Sequence, residues 1–257
     1  MRVMAIGDVV GQVGCDFLRK TLPRLKKEYN TDLVIVNGEN SADGNGITPH
    51  SADYIFDSGA DVITTGNHGL RRREIFDMLD REIGIVRPAN FSPECPGCGY
   101  YVYDLIRFKV CIINICGQVY MEGADNPFDC VDRILSREKY DIVIVDFHAE
   151  ATAEKIAMGY HLDGRASLLY GTHTHVQTAD ERIFKNGLGY ITDLGMCGPD
   201  DSVLGVKPEL ALKRLRTHLP VRFETAKSKC RICGIVADID ENTGKTVKIE
   251  RINIVEN

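Results

Sequence analysis

Short β-branched apolar runs alternate with stretches of helical period through most of the chain, and this rhythm narrows the possible folds more than any other feature. Residues 3–6, 33–36, 62–65, 101–103, 110–115, 142–145, 167–170 and 190–192 read as strands. Residues 16–28, 49–58, 72–80, 127–137, 151–161 and 209–218 read as helices. Thr48 is placed to cap the second helix, with Pro49 at its first position and Gly59 closing it. Pro23 should kink the first helix or mark its start. Strand–helix alternation of this kind builds a largely parallel sheet with helices outside it. The tail differs. Residues 221–224, 232–240 and 246–254 read as antiparallel strands, the last two joined by a turn at 241–244. They suggest a second sheet packed on the first. No linker or internal repeat divides the 257 residues, so a single α/β domain covering 1–257 is expected.

Metal-binding residue types collect just past the strands. Asp8 follows the first, Glu39 and Asn40 the second, Asn67 and His68 the third. His148 follows the strand at 142–145, and His173 and His175 follow the strand at 167–170. In open α/β sheets ligands bind beyond the carboxyl ends of strands, so one sheet edge would gather all these groups. Glycines 7, 38, 66 and 171 come one or two positions before a donor, where they permit close backbone approach. His173 and His175 would point to one side if the backbone between them is extended. The donors are oxygen and nitrogen, which suits Mn, Fe or Zn. They are too many for one zinc ion. Two metals sharing a carboxylate, about 3.5–4 Å apart, would use them well and would suit displacement at phosphorus. The remaining histidines, His50, His161 and His218, read as ordinary satisfied polar residues.

Composition bounds the partners. The formal net charge is −6, which disfavours a broad nucleic-acid face. Two divalent ions would outweigh the carboxylates at the sheet edge, leaving a cationic site for a small phosphodiester. No apolar run approaches the roughly 18 residues of a membrane helix, and the N-terminus lacks a signal peptide's pattern, so a cytoplasmic location is expected. Nine cysteines include Cys95-Pro96-Gly97-Cys98 and Cys230-Arg231-Ile232-Cys233. The odd count and the wide gap between the pairs favour ordinary thiols over disulfides or a zinc site. The Arg71-Arg72-Arg73 run reads as a solvated helix face. Sheet edges in the tail make a homo-oligomer plausible.

The segments Ile6-Gly7-Asp8-Val9-Val10-Gly11, Asn37-Gly38-Glu39-Asn40, Thr65-Gly66-Asn67-His68, Arg87-Pro88-Ala89-Asn90-Phe91, Asp146-Phe147-His148-Ala149-Glu150, Gly171-Thr172-His173-Thr174-His175 and Thr192-Asp193-Leu194-Gly195 stand out along the chain. Together they resemble the calcineurin-like metallophosphoesterases, and in particular the bacterial YmdB family. The resemblance implies a four-layer α/β/β/α sandwich and hydrolysis of 2′,3′-cyclic nucleotides to 3′-nucleotides. It implies one metal on Asp8, Glu39, Asn40 and His175, and a second on Glu39, Asn67, His148 and His173. It gives His68 the role of proton or hydrogen-bond donor to the leaving oxygen. Val10 stands where the wider superfamily has a histidine, and Gly69-Leu70 where relatives carry a small polar residue and a tryptophan. Another phosphoester substrate, a monoester or an RNA end, stays open, as does a nucleotide-binding regulatory protein with little turnover.

Overall fold

The computed structural model describes residues 1–43, 45–104, 108–137 and 139–256. Its strands are β1 (Arg2–Ile6), β2 (Asp8–Val9), β3 (Leu33–Asn37), β4 (Val62–Thr64), β5 (Ile85–Val86), β6 (Tyr100–Asp104), β7 (Lys109–Cys116), β8 (Ile142–His148), β9 (Leu168–Thr172), β10 (Arg182–Ile183), β11 (Gly189–Ile191), β12 (Met196–Pro199), β13 (Cys230–Ile239) and β14 (Thr246–Val255). Its helices are α1 (Gly11–Tyr29), α2 (Pro49–Asp57), α3 (Phe76–Leu79), α4 (Pro127–Leu135), α5 (Thr152–Leu162) and α6 (Pro208–Thr217).

The strands form two mixed sheets. The eight-stranded sheet runs β2-β12-β13-β1-β3-β4-β5, with β14 also paired to β13. The six-stranded sheet runs β10-β11-β9-β8-β7-β6. Strand parity explains how they stack. Val3, Ala5, Leu33 and Ile35 share one apolar cluster with Val110, Ile112, Ile142, Ile144 and Leu168 of the other sheet. Their neighbours Met4, Ile6, Val34 and Val36 face away, onto Leu18, Leu22 and Leu25 of α1 and Ile55 of α2. Cys111, Ile113, Val143 and Val145 likewise face Val131 of α4 and Met158 of α5. Successive side chains in a strand point to opposite faces, so each sheet is buried on both. The result is the four-layer α/β/β/α sandwich.

Three elements differ from the sequence expectation. Helix α1 begins at Gly11 and runs unbroken through Pro23. Pro23 and Arg19 are both exposed, so the hydrogen bond that proline cannot donate is lost on the outer face of the helix. Residues 72–80 split into a 3-10 turn at Arg73–Ile75 and the single-turn α3. Residues 221–224 form no strand. They lie largely exposed, and only Thr225 pairs, with Val206. The extended backbone preference of this stretch finds no sheet edge to join. Among the described residues no helix is long and apolar enough to cross a membrane.

Candidate metal centre

Parallel pairing brings the donors together. β1 pairs with β3, β3 with β4, and β8 with β9, all parallel, so the chain after each strand emerges at the same edge of its sheet. Asp8 lies in β2, Glu39 two residues past β3, and Asn67 three past β4. His148 is the last residue of β8 and His173 follows β9 directly. Gly66 shows how tight the meeting is. A Cβ there would lie 2.3 Å from the His148 ring and 2.4 Å from the Glu39 carboxylate.

One ligand atom each from Glu39, His148 and His173 falls within 4.8 Å of the others. His148 Nε2 is 3.2 Å from Glu39 Oε1, 3.0 Å from Asn67 Oδ1 and 3.0 Å from His173 Nδ1. Donors about 2.1 Å from a shared ion stand roughly 3.0–3.4 Å apart. These separations fit a coordination shell. Beside them, His175 Nε2 lies 3.7 Å from Asp8 Oδ1 and 3.3 Å from Asn40 Nδ2, and Asn40 Nδ2 donates to Glu39 Oε1 at 2.9 Å. Asp8 Oδ1 is buried with no hydrogen-bond partner. A buried carboxylate oxygen is costly unless a cation or donor meets it, so the residues fit a metal.

The outer ring nitrogens are all accounted for. His148 Nδ1 is 2.9 Å from Thr172 Oγ1, which donates to Asp146 Oδ1 at 2.6 Å. His173 Nε2 is 3.2 Å from Glu150 Oε2. His175 Nδ1 is 3.0 Å from the Leu204 carbonyl. Each histidine therefore has one nitrogen fixed by an acceptor or hydroxyl and the other turned to the centre, the usual arrangement of a metal-ligating imidazole.

Charge in the site is unbalanced without an ion. Burial raises the Asp8 carboxyl, and His175 and His148 only partly offset it. Burial would raise Glu39 too, but His148 and His68 hold it well below the usual carboxylate range. Burial would depress His148, yet Glu39, Asp8 and Asp146 prevail and push it up to about 9. Burial and the neighbouring His148 push His173 down to about 3. His148 thus carries as a proton the positive charge that a metal would bring.

Residues 4–252 match the model of a family described as YmdB-like protein. A Bacillus subtilis (strain 168) protein named 2′,3′-cyclic-nucleotide 2′-phosphodiesterase is 46% identical over 256 residues, spanning 99% of this chain and 97% of that one. The chain belongs to the YmdB-like family. Two solved structures agree along the whole chain. One is a hypothetical protein of Thermus thermophilus, with a TM-score of 0.95, 37% identity and full coverage of both chains. The other is described as a novel phosphatase of Mycoplasma pneumoniae, with a TM-score of 0.95, 34% identity and coverage of 100% of this chain and 94% of that one. They bear out the calcineurin-like metallophosphoesterase fold.

Within this YmdB-like chain the residues singled out from sequence come together, with Glu39, His148 and His173 in one cluster, but one local geometry differs from the expectation. His173 and His175 are not in extended backbone. Their φ angles are 100° and 63°, so their rings reach the centre from a turn and not through strand parity. His68 lies beside the donors. Its N–H donates to Glu39 Oε2 at 3.0 Å and its Nδ1 is 2.9 Å from Asn40 Oδ1. Asp146, Glu150, Thr172, Lys155 and Asp193 were not assigned roles from sequence. Asp146 was detectable, since it lies two positions before His148 in an apolar strand and so shares its face. His161 pairs with Asp132 at 2.8 Å, as an ordinary polar residue would. Cys98 donates to Glu82 at 2.8 Å, and Cys230 to the Val13 carbonyl at 3.6 Å. The metal-type cluster among the described residues contains no cysteine.

Proposed function

We propose that this chain is a two-metal phosphodiesterase that hydrolyses 2′,3′-cyclic nucleotides to 3′-nucleotides. The observation that carries the metal reading is the set of three histidines, each with its outer nitrogen occupied, with the inner nitrogen of His148 turned toward Glu39, that of His175 toward Asp8 and that of His173 toward His148. The substrate is argued from the relative's activity. One ion, Fe, Mn or Zn, would be held by Asp8, Glu39, Asn40 and His175, and the second by Glu39, Asn67, His148 and His173. Glu39 Oε1 supports a shared role, because it approaches both Asn40 and His148. When bound, such ions draw charge from the phosphoryl oxygens and lower the pKa of water.

The protein's own groups set the rest. Asn40 would join the first set through Oδ1 after a half-turn of its amide, which then offers Nδ2 to His68 Nδ1. That places the His68 proton on Nε2, the nitrogen facing away from Asn40. Water adds to phosphorus as hydroxide with its proton released to solvent, the P–O2′ bond breaks, and the Nε2 proton goes to the departing 2′ oxygen and is then replaced from solvent. The site is expected to act on a small diester in the cytoplasm. Purified protein with Mn²⁺ and a panel of cyclic nucleotides, monoesters and RNA ends, with products resolved by chromatography, tests the substrate. Only 3′-nucleotide from the cyclic diester supports the proposal. Monoester turnover alone, or tight binding without turnover, refutes it. His68→Ala should slow the reaction about 10²–10⁴-fold while Mn²⁺ content stays unchanged.

A further inference from the structure

A lysine is buried behind the centre without touching it. Lys155 projects from α5 and is 2% exposed, and its partner Asp193 is 1% exposed. Lys155 Nζ donates to Asp193 Oδ2 at 2.7 Å and to the Thr172 carbonyl at 2.9 Å. The same Asp193 Oδ2 accepts the Thr174 N–H at 3.2 Å, and Oδ1 accepts the Gly195 N–H at 2.8 Å. Gly195 in turn accepts the Asp8 N–H at 3.1 Å. Thr172 and Thr174 flank His173, and Thr174 separates it from His175.

One ion pair therefore reaches the backbone on both sides of the centre. On the six-stranded sheet it grips the turn that carries His173 and His175. On the other sheet it reaches Asp8 through Gly195. The turn needs gripping, because His173 and His175 have positive φ angles, which non-glycine residues adopt only at a cost. There is no slack in the surroundings either. A Cβ on Gly171 would lie 1.9 Å from the Thr192 carbonyl and 2.9 Å from the Lys155 stem. Stability alone does not explain the pair, since well-packed apolar residues usually replace a buried ion pair at little cost.

We propose that the Lys155–Asp193 pair is the positioning element that sets Asp8, on one sheet, against the turn on the other, whose His173 N–H donates to Asp8 Oδ2 at 3.2 Å and whose His175 Nε2 lies 3.7 Å from Asp8 Oδ1. The pair holds this geometry before any ion arrives. The inference rests on the metal centre proposed above and is independent of the substrate.

Two measurements test it. Lys155→Met with Asp193→Asn removes both charges while keeping side-chain volume, so the double variant should fold. Mn²⁺ titration followed by electron paramagnetic resonance should show affinity about 10–100-fold below wild type, the usual effect of groups that orient metal ligands. Wild-type affinity in the folded double variant would overturn the proposal and leave the centre standing. Failure of wild type to bind Mn²⁺ would overturn both. The second measurement needs no variant. In the metal-free wild-type protein the amides of Thr174, Gly195 and Asp8 should already resist hydrogen exchange. If they exchange freely until Mn²⁺ is added, the pair does not preorganise the site and the proposal falls.

Discussion

At the scale of single residues, the three histidines differ in how firmly their outer nitrogens are held. His148 leans on Thr172, which is buried and bonded to the fully buried Asp146. His173 leans on Glu150, whose side chain is half exposed. Solvent competes for an exposed carboxylate and weakens its grip. Removing the two supports should therefore have unequal effects. Thr172→Val keeps the side chain's shape but removes the hydroxyl that meets His148 Nδ1 and Asp146 Oδ1, and should reduce Mn²⁺ affinity toward about 100-fold. Glu150→Gln should cost about 10-fold at most, the low end for groups that orient metal ligands. Calorimetric titration of both variants checks the order. Equal losses would mean that burial does not set the strength of these supports.

At the scale of elements, the one helix start for which the sequence named a cap, Thr48 ahead of Pro49, is realised in the fold. Thr48 Oγ1 accepts the Ser51 N–H at 3.2 Å and Ser51 Oγ accepts the Thr48 N–H at 3.0 Å, a reciprocal cap ahead of Pro49. Thr48→Ala should destabilise the protein by about 1 kcal/mol, seen as a lower urea midpoint with unchanged slope. The same local logic made β1, β3, β8 and β9 legible, because each is a run of apolar residues buried on both faces. The two- to four-residue strands β2, β5, β10 and β12 were not legible. They are too short for periodicity, and pairing partners far away in sequence define them. The residues 221–224 mislead for the opposite reason, having strand composition without an adjacent edge. The residues that meet at the centre were legible as a class, since each lies at or just past the end of an apolar strand run. The turn at His173 and His175 was not, because Asp193, about twenty residues later, determines it. Lys155 had a signal that went unread. It falls on the buried face of α5 with Met158, Gly159 and Leu162, where a charge requires a partner.

At the scale of the whole molecule, two sheets with separate helical covers meet at a centre to which both contribute, so occupancy should govern how well the layers hold together. A ligand at one hundred times its dissociation constant stabilises a fold by about 2.7 kcal/mol. That gain should depend on pH in a direction set by His148. Its pKa is raised to about 9 in the folded, metal-free protein, against about 6.5 when unfolded. A raised pKa contributes stability that is complete below the unfolded value and disappears as pH climbs through the folded one. Metal binding runs the other way, because an ion must displace that proton and binds better as pH rises. His173, pushed down to about 3, is already neutral in the folded protein above about pH 6 and releases no proton when an ion binds, so it does not change the gap between metal-loaded and metal-free protein. The thiols of Cys15, Cys98, Cys116, Cys230 and Cys233 are pushed up by burial to about 11 or beyond, so they affect folding only near and above their ordinary range. Between pH 6.5 and 8.5 the melting temperature with excess Mn²⁺ should therefore pull progressively away from that with chelator. Thermal denaturation in paired samples at half-unit steps reads this directly. A gap that stays constant or narrows would show that His148 does not carry the exchangeable proton, and that the charge balance at the centre is set by another group.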